Sequence, residues 1–354
     1  MSNLVLNETP VRTSKNFKIN NIKLENINIP EIFEEFKNVK VSYVSSKVNI
    51  DSNVKKANLK YGLGDYFVSQ INETSNYKSN IVVNSKTDKE VEFDFIFDKQ
   101  NLNLTEHIEI TAEESSKASF IFKYETEKDV EAYHNGLIKV TAKKSSVINL
   151  IIVNFMNELS NNFLSIENNL EDNSKINYHI IDFGGKSSIT NYYSNITGEN
   201  ADNQLSTIYL GRNNQVFDLN YIGELYGKKS NINIEVQGAL KDNAKKHFKG
   251  TIDFKKGCKK ATGNESENCM LLSNTAKSLA LPMLLCSEED VEGNHSTSSG
   301  KVGEKELFYI MSRGFELKEA MKLMVRAKFN KILEEIKNEE IKANILDEID
   351  IRLD

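Results

Sequence analysis

The side chains here best able to hold a metal are few and dispersed. Five histidines (His107, His134, His179, His247 and His295) are scattered through the chain. The cysteines, Cys258, Cys269 and Cys286, stand 11 and 17 residues apart, with no CxxC pair and no histidine at zinc-finger spacing. An odd number at such spacing does not make a disulfide framework. The cysteines read as small buried hydrophobes, with room for one functional thiol. His295 stands out. It lies among small polar residues shortly after Cys286, and imidazole and thiolate are both ligands for iron. It is either such a ligand or a turn histidine held by hydrogen bonds.

Other chemistries lack their residues. There is no GxxxxGK[ST] phosphate loop, no HExxH and no GxSxG elbow, so no ATP binding or hydrolysis is expected. Gly62 and Gly64 form a lone GxG, which without a third glycine or a following helix reads as a turn. Asp182, Asp218 and Asp253 are 36 and 35 residues apart. A carbohydrate-active enzyme needs carboxylates gathered on adjacent rungs, so it is the rival reading from a different class. A net charge of −6 without like-charge blocks argues against nucleic acid. The most apolar run, residues 147–156, is interrupted by Asn149 and Asn154 and falls short of a membrane span. The expectation is a cytoplasmic protein with no membrane partner.

The elements that position these residues follow from periodicity. Residues 1–28 show no sustained period and read as a loose arm. Pro30, followed by Ile32, Phe33 and Phe36 on one face, predicts a short docking helix. From residue 80 the pattern is that of strands, with Val91, Phe93 and Phe95 alternating with polar neighbours. Strand starts at Val147, Ile176, Leu205 and Ile232 are spaced 29, 29 and 27. A second ladder at Leu137, Phe163, Ile189 and Val216 is spaced 26, 26 and 27.

Two interleaved ladders with nearly one period imply two strands per rung of a stacked repeat. The fold class is mainly β, a right-handed parallel β-helix (solenoid) with an N-terminal segment and a C-terminal α-helical domain; the hand follows from the chirality of parallel crossovers. Proline is confined to Pro10, Pro30 and Pro282, which fits stacked rungs. A β-sandwich is the structural alternative. The open ends of a solenoid must be capped, by the N-terminal segment or the helical tail, or paired with another chain. The segments are 1–79, 80–302 and 303–354.

After Gly303 the period becomes helical, with segments at 304–313, 315–336 and 339–351. Met311, Met321 and Met324 form a stripe that is either core or a partner surface. Lys318, Lys322, Arg326 and Lys328 are either a solvated face or a site for an acidic partner.

The order His295, a Ser/Thr-rich turn, Gly-Lys-Val-Gly-Glu, LFY and then SRG resembles the C-terminal junction of the SufB/SufD family, scaffolds of the SUF iron–sulfur cluster assembly system. The likeness covers about the last fifth of the chain at motif level. It implies a non-catalytic scaffold subunit that pairs with a SufB-type chain or itself through the β-helix, and docks the SufC ATPase on its C-terminal helices. It further implies no stably bound cofactor but a transient iron–sulfur cluster at the partner interface. His295 matches the family histidine and MSRG the SRG, while the turn STSSG departs. Ser296 stands where SufB-type chains carry glutamate, so the chain is SufD-like, with a SufB-like homodimer as the alternative. Counting back from Pro282, the SufB cysteine position falls on Glu267, so that role is not carried to Cys269. The resemblance makes His295 the candidate metal ligand; Cys286 carries no family role and stands behind it only as a thiolate near it in sequence. Phe308, Tyr309, Arg313 and Gly314 are the candidate partner-binding residues.

Overall fold

The computed structural model describes residues 4–12, 19–25, 27–43 and 45–354. Residues 1–3, 13–18 and 26, part of the expected arm, lie outside the described residues. The chain opens with β1 (Leu4–Leu6) and β2 (Ile22–Leu24), an antiparallel pair, then β3 (Val39–Ser42), β4 (Val48–Asp51) and α1 (Asp65–Thr74). A run of strands follows with no helix between them: β5 (Tyr77–Val83), β6 (Lys86–Phe97), β7 (Asn103–Ala112), β8 (Lys117–Thr126), β9 (Tyr133–Ala142), β10 (Val147–Phe155), β11 (Asn161–Leu170) and β12 (Lys175–Asp182). It continues through β13 (Ser187–Ile196), β14 (Asp202–Gly211), β15 (Val216–Leu225), β16 (Asn231–Leu240), β17 (Lys245–Phe254), β18 (Ala261–Leu271), β19 (Lys277–Cys286) and β20 (Val291–Lys301). Helices α2 (Glu304–Ser312), α3 (Leu317–Glu335) and α4 (Glu339–Leu353) close the chain.

From β5 onward, even-numbered strands with β3 make one nine-stranded sheet, and odd-numbered strands with β4 make the other. Val147 pairs in parallel with Lys175, Lys175 with Asp202, Asp202 with Asn231 and Asn231 with Thr262. Those steps of 28, 27, 29 and 31 residues are one rung each, two strands per rung. The fold is therefore a parallel β-solenoid, and the sandwich is ruled out.

The polar residues between strands make the corners. Ser115, Ser145, Asn173, Asn200, Lys229 and Lys260 all have φ between 55° and 61°, the left-handed region that short polar side chains tolerate best. Each hangs on the next rung: Ser145 donates its N–H to Asp172 O at 2.9 Å, Asn173 to Glu199 O at 2.8 Å and Asn200 to Lys228 O at 2.9 Å.

The apolar run in β10 is buried on both faces. Ile148, Leu150 and Ile152 point into the solenoid, while Ile151 and Val153 lie outside it beneath the C-terminal helices. Val325, Phe329, Ile332, Ile345 and Ile349 of α3 and α4 pack there against Ile181, Phe183, Ile208 and Leu210. The odd sheet is covered instead by the N-terminal segment, whose Leu6, Ile22, Leu24, Leu63 and Phe67 pack over Tyr133, Phe163 and Ile189. One end is closed, since β3 and β4 add antiparallel to β6 and β5 and Phe36 packs edge-on to Phe97 at 5.1 Å.

Four local expectations are corrected. Residues 30–36 form no helix, because Phe33 packs toward Tyr133 on the odd sheet while Phe36 enters the solenoid core, and one helical face does not reach both. A helix does follow the Gly62/Gly64 pair: Gly64, at φ 129°, is the N-cap of α1, which buries Phe67 and Ile71. The supposed Ser/Thr-rich turn after His295 is β20, the last strand of the solenoid. Its small polar side chains alternate on an edge with no further rung to bury them. The described part of the expected loose arm is ordered as β1 and β2.

Candidate functional site

The C-terminal helices lie along an outer face and leave the last rung, β19 and β20, without a strand beyond it among the described residues. This open end is where the sequence places its singled-out residues. In β18, Ala261, Gly263, Glu265, Glu267 and Cys269 are buried on the inward side, and β20 sets Val291, Gly293, His295, Thr297 and Ser299 against them in register. Gly293 faces Phe254 and Leu284, so His295, two residues on, falls on the same inward side. His295 itself is exposed.

Beneath it lies a charged column inside the solenoid. Glu267 Oε1 accepts from the fully buried Lys246 Nζ at 2.7 Å and from Tyr209 Oη at 3.0 Å. Glu265 is 2% exposed and neither of its carboxylate oxygens has a hydrogen-bond partner. Burial, with the neighbouring Glu267 charge, pushes its pKa up to about 8. Gly250 makes the room for it, since a Cβ there would lie 2.2 Å from the Glu265 carboxyl. Sequence reasoning missed Glu265, Glu267 and Lys246. The signal was available: the inward positions of residues 261–271 carry Glu where earlier rungs carry Val, Ile, Leu and Phe.

Cys286 ends β19, exposed, in register with Phe254, and its thiol donates to Glu288 O at 2.9 Å. It therefore belongs to the last rung but to the opposite sheet from His295. Cys258 and Cys269 are buried, as expected of small hydrophobes, and burial raises both pKa values, that of Cys258 to about 11. Among the described residues no three His, Cys, Asp or Glu side chains form a ready metal cluster. The three aspartates of the rival reading are each engaged separately: Asp182 with Ser188 and Asn154, Asp218 with Lys249, and Asp253 with Lys255.

The candidate partner-binding residues do come together. No residue of α2 is buried; Phe308 and Tyr309 are 74% and 58% exposed. Arg313 donates to the Tyr309 hydroxyl at 2.8 Å with its guanidinium 5.0 Å from the ring centre, and Gly314, at φ 98°, ends the turn. Met311 is exposed, and Met321 and Met324 are half-buried, so the methionine stripe is not core. Lys318, Lys322 and Arg326 are bonded to Asp354 and Asp350 of the same chain.

A parallel β-solenoid closed at one end and open at the other defines a class of protein that presents strand edges for association. Residues 95–328 match the SufBD core domain of SUF-system FeS cluster assembly, well over half of the chain. The chain belongs to the SufB/SufD family. It is 24% identical over 269 residues to the iron–sulfur cluster assembly protein SufD of Bacillus subtilis, covering 75% of this chain and 62% of that protein. Against SufD of Escherichia coli the identity is 22% over 240 residues, 68% and 57% of the two chains. A SufBD family protein of Pyrococcus horikoshii is 30% identical over 154 residues, 43% of this chain and 33% of that one. The chain thus spans less than two thirds of the length of the two SufD relatives it matches.

Proposed function

We propose that this chain is a non-catalytic, SufD-like scaffold subunit of the SUF system, building iron–sulfur clusters with a SufB-type partner and the SufC ATPase in the cytoplasm. The observation that carries the reading is the open last rung. Strands β19 and β20 present unpaired edges of 10 and 11 residues, which a second solenoid satisfies by continuing the ladder. His295 then lies on the inward side of the junction, next to the incoming chain, as a donor to a cluster in transit. The cluster is cargo, with no resident cofactor. The exposed aromatic helix α2 supports docking of the ATPase, since Tyr and Arg anchors carry most of the binding energy at such surfaces. Among the described residues no helix is long and apolar enough to cross a membrane.

The test is co-expression with SufB-type and SufC partners, followed by mass and iron analysis of the purified species. A complex containing all three chains is the expected result. A homodimer retaining SufC would establish the SufB-like alternative, and a monomer indifferent to both partners would overturn the scaffold reading.

A further inference from the structure

Near the open end the chain turns two successive corners, residues 255–260 after β17 and 287–290 after β19, and a thiol stands at each. Cys258 lies in the lower corner, buried in the core cluster. Cys286 ends β19 one rung above, in register with Phe254 of that same cluster, and is exposed because no rung covers it. The two corners are pinned together: Gly257 donates its N–H to Glu288 Oε2 at 2.9 Å, and Lys260 donates to Asp290 O at 2.5 Å. The Cys286 thiol donates to Glu288 O at 2.9 Å, so one residue, Glu288, touches both that thiol and the backbone next to Cys258. Burial, with the Glu288 charge and more weakly that of Cys286, pushes the Cys258 thiol up to about 11. Hydrogen-bonded neighbouring chains stand about 4.8 Å apart, inside the roughly 4.4–6.8 Å between Cα atoms that a disulfide accepts. The third cysteine, Cys269, is elsewhere, in register with Gly238 and Ser299 of the even sheet.

We propose that Cys286 and Cys258 form a thiol-exchange site that takes a low-molecular-weight disulfide as substrate and closes a reversible disulfide across the last two corners. Cys286 attacks first, because it meets solvent: its thiolate bonds to one sulfur of the small disulfide, the S–S bond breaks, and one small thiolate leaves. Cys258 then attacks the Cys286 sulfur, the mixed disulfide breaks, and the second small thiol departs. The protein gives up two electrons and two protons, and the small disulfide is reduced to a pair of thiols. Access fixes the order, since a buried thiol in an apolar setting is inert toward a reagent in solution. The product ties the end of β19 to the corner beneath it, so the rung with free edges is held covalently to its neighbour. In a reducing compartment such a bond is transient, opened again by the thiol pool. The chemistry stands without the scaffold reading; only its bearing on partner association rests on that reading.

The experiment uses the full chain, reduced, freed of reductant and incubated anaerobically with oxidised glutathione. Intact mass, and tryptic peptides prepared without reduction, are followed over time. The expected course is a glutathione adduct on Cys286, replaced by a chain lacking a pair of hydrogens in which residues 257–259 are linked to residues 278–301. Dithiothreitol should restore the parent mass. Cys258→Ala should stop at the adduct, and Cys286→Ser should stay unmodified. If Cys258→Ala fails to fold, the peptide linkage in the parent carries the test. An adduct that persists in the parent, a link from Cys286 to Cys269 or to a second chain, or no adduct at all would overturn the proposal. Hydrogen exchange reads the consequence: β18–β20 should exchange more slowly in the closed chain than in the reduced one, and equal exchange would refute the claim that the bond holds the last rung. Mixing the reduced chain with a SufB-type partner separates the two readings. No partner binding counts against the scaffold role alone, and no link in a chain that binds its partner counts against this site alone.

Discussion

Lys246 is the most exacting test of the charged column. Its side chain is wholly buried, with Nζ 2.7 Å from Glu267 Oε1 and 5.8 Å from the ring centres of Tyr209 and Phe248. Lys246→Met keeps most of the stem volume and removes the charge. Glu267 is then left with only the Tyr209 hydroxyl, two residues from a Glu265 that already lacks partners. Stripping one member from a buried pair costs about 3–5 kcal/mol, while replacing both members is often neutral. Lys246→Met should therefore lose about 3–5 kcal/mol, and adding Glu267→Gln, which still accepts from Tyr209, should restore most of it. Urea unfolding followed by far-UV circular dichroism measures the loss. Hydrogen exchange across β17–β20 locates it, because a stacked repeat loses its terminal rungs first. A Lys246→Met chain within about 0.5 kcal/mol of the parent, the range of an ordinary surface change, would refute the claim that the column depends on this lysine.

Three further outcomes are expected. His295→Ala should lower the cluster-assembly rate of the reconstituted complex sharply while stability changes by about 1 kcal/mol or less, the exposed side chain having few packing contacts; an unchanged rate rejects the ligand role. Phe308→Ala and Tyr309→Ala should each weaken SufC binding by about 1–2 kcal/mol in titration calorimetry without lowering the melting temperature, as for exposed anchors; parental affinity in both moves the docking site elsewhere. Burial alone would raise the Glu224 pKa, but hydrogen bonds from Lys60 and Tyr193 and the Lys255 charge outweigh it and hold the carboxyl at about 2, against an ordinary 4.5. A depressed carboxylate stabilises the fold fully above about pH 4.5 and loses that contribution as pH falls toward 2, up to about 3 kcal/mol in all. Acid titration of Glu224→Gln should lack that part of the slope, and a slope identical to the parent's would contradict it.

The solenoid was legible because its period is written twice, in the apolar ladders and in the Asn, Ser and Lys residues that take left-handed corners. Residues 90–96 alternate clearly because β6 has one face in the core. Residues 150–153 are a continuous apolar run because both faces are covered, and nothing in that run says that α3 and α4 are what covers the outer one. The same ambiguity hid the first helix: Leu63, Phe67 and Ile71 fit a helical face, but the preceding glycines read more strongly as a turn. At residues 30–36 the helical spacing was present and tertiary structure overrode it, sending Phe33 and Phe36 to different clusters. His295 was legible through resemblance alone, whereas its environment was not, since Glu265 acquires meaning only when register places it one rung away. The tail also changes how docking must be tested. Deleting residues 304–354 would strip α3 and α4 from Ile151, Phe183 and Leu210, so substitutions confined to α2 are the cleaner experiment.

The antiparallel strands β3 and β4 set the valence of the molecule. A solenoid with two free ends adds copies without limit, because every addition exposes a new edge and head-to-tail contacts that do not close make fibres. Here one terminus is capped by two four-residue strands running against the ladder and by Phe36, which leaves only short, reversed edges there, so an association through the long parallel edges of the other terminus stops at two. The plug thus works as a chain terminator: a protein sharing this fold but lacking residues 39–51 should sediment as a ladder of lengthening oligomers instead of a single closed pair.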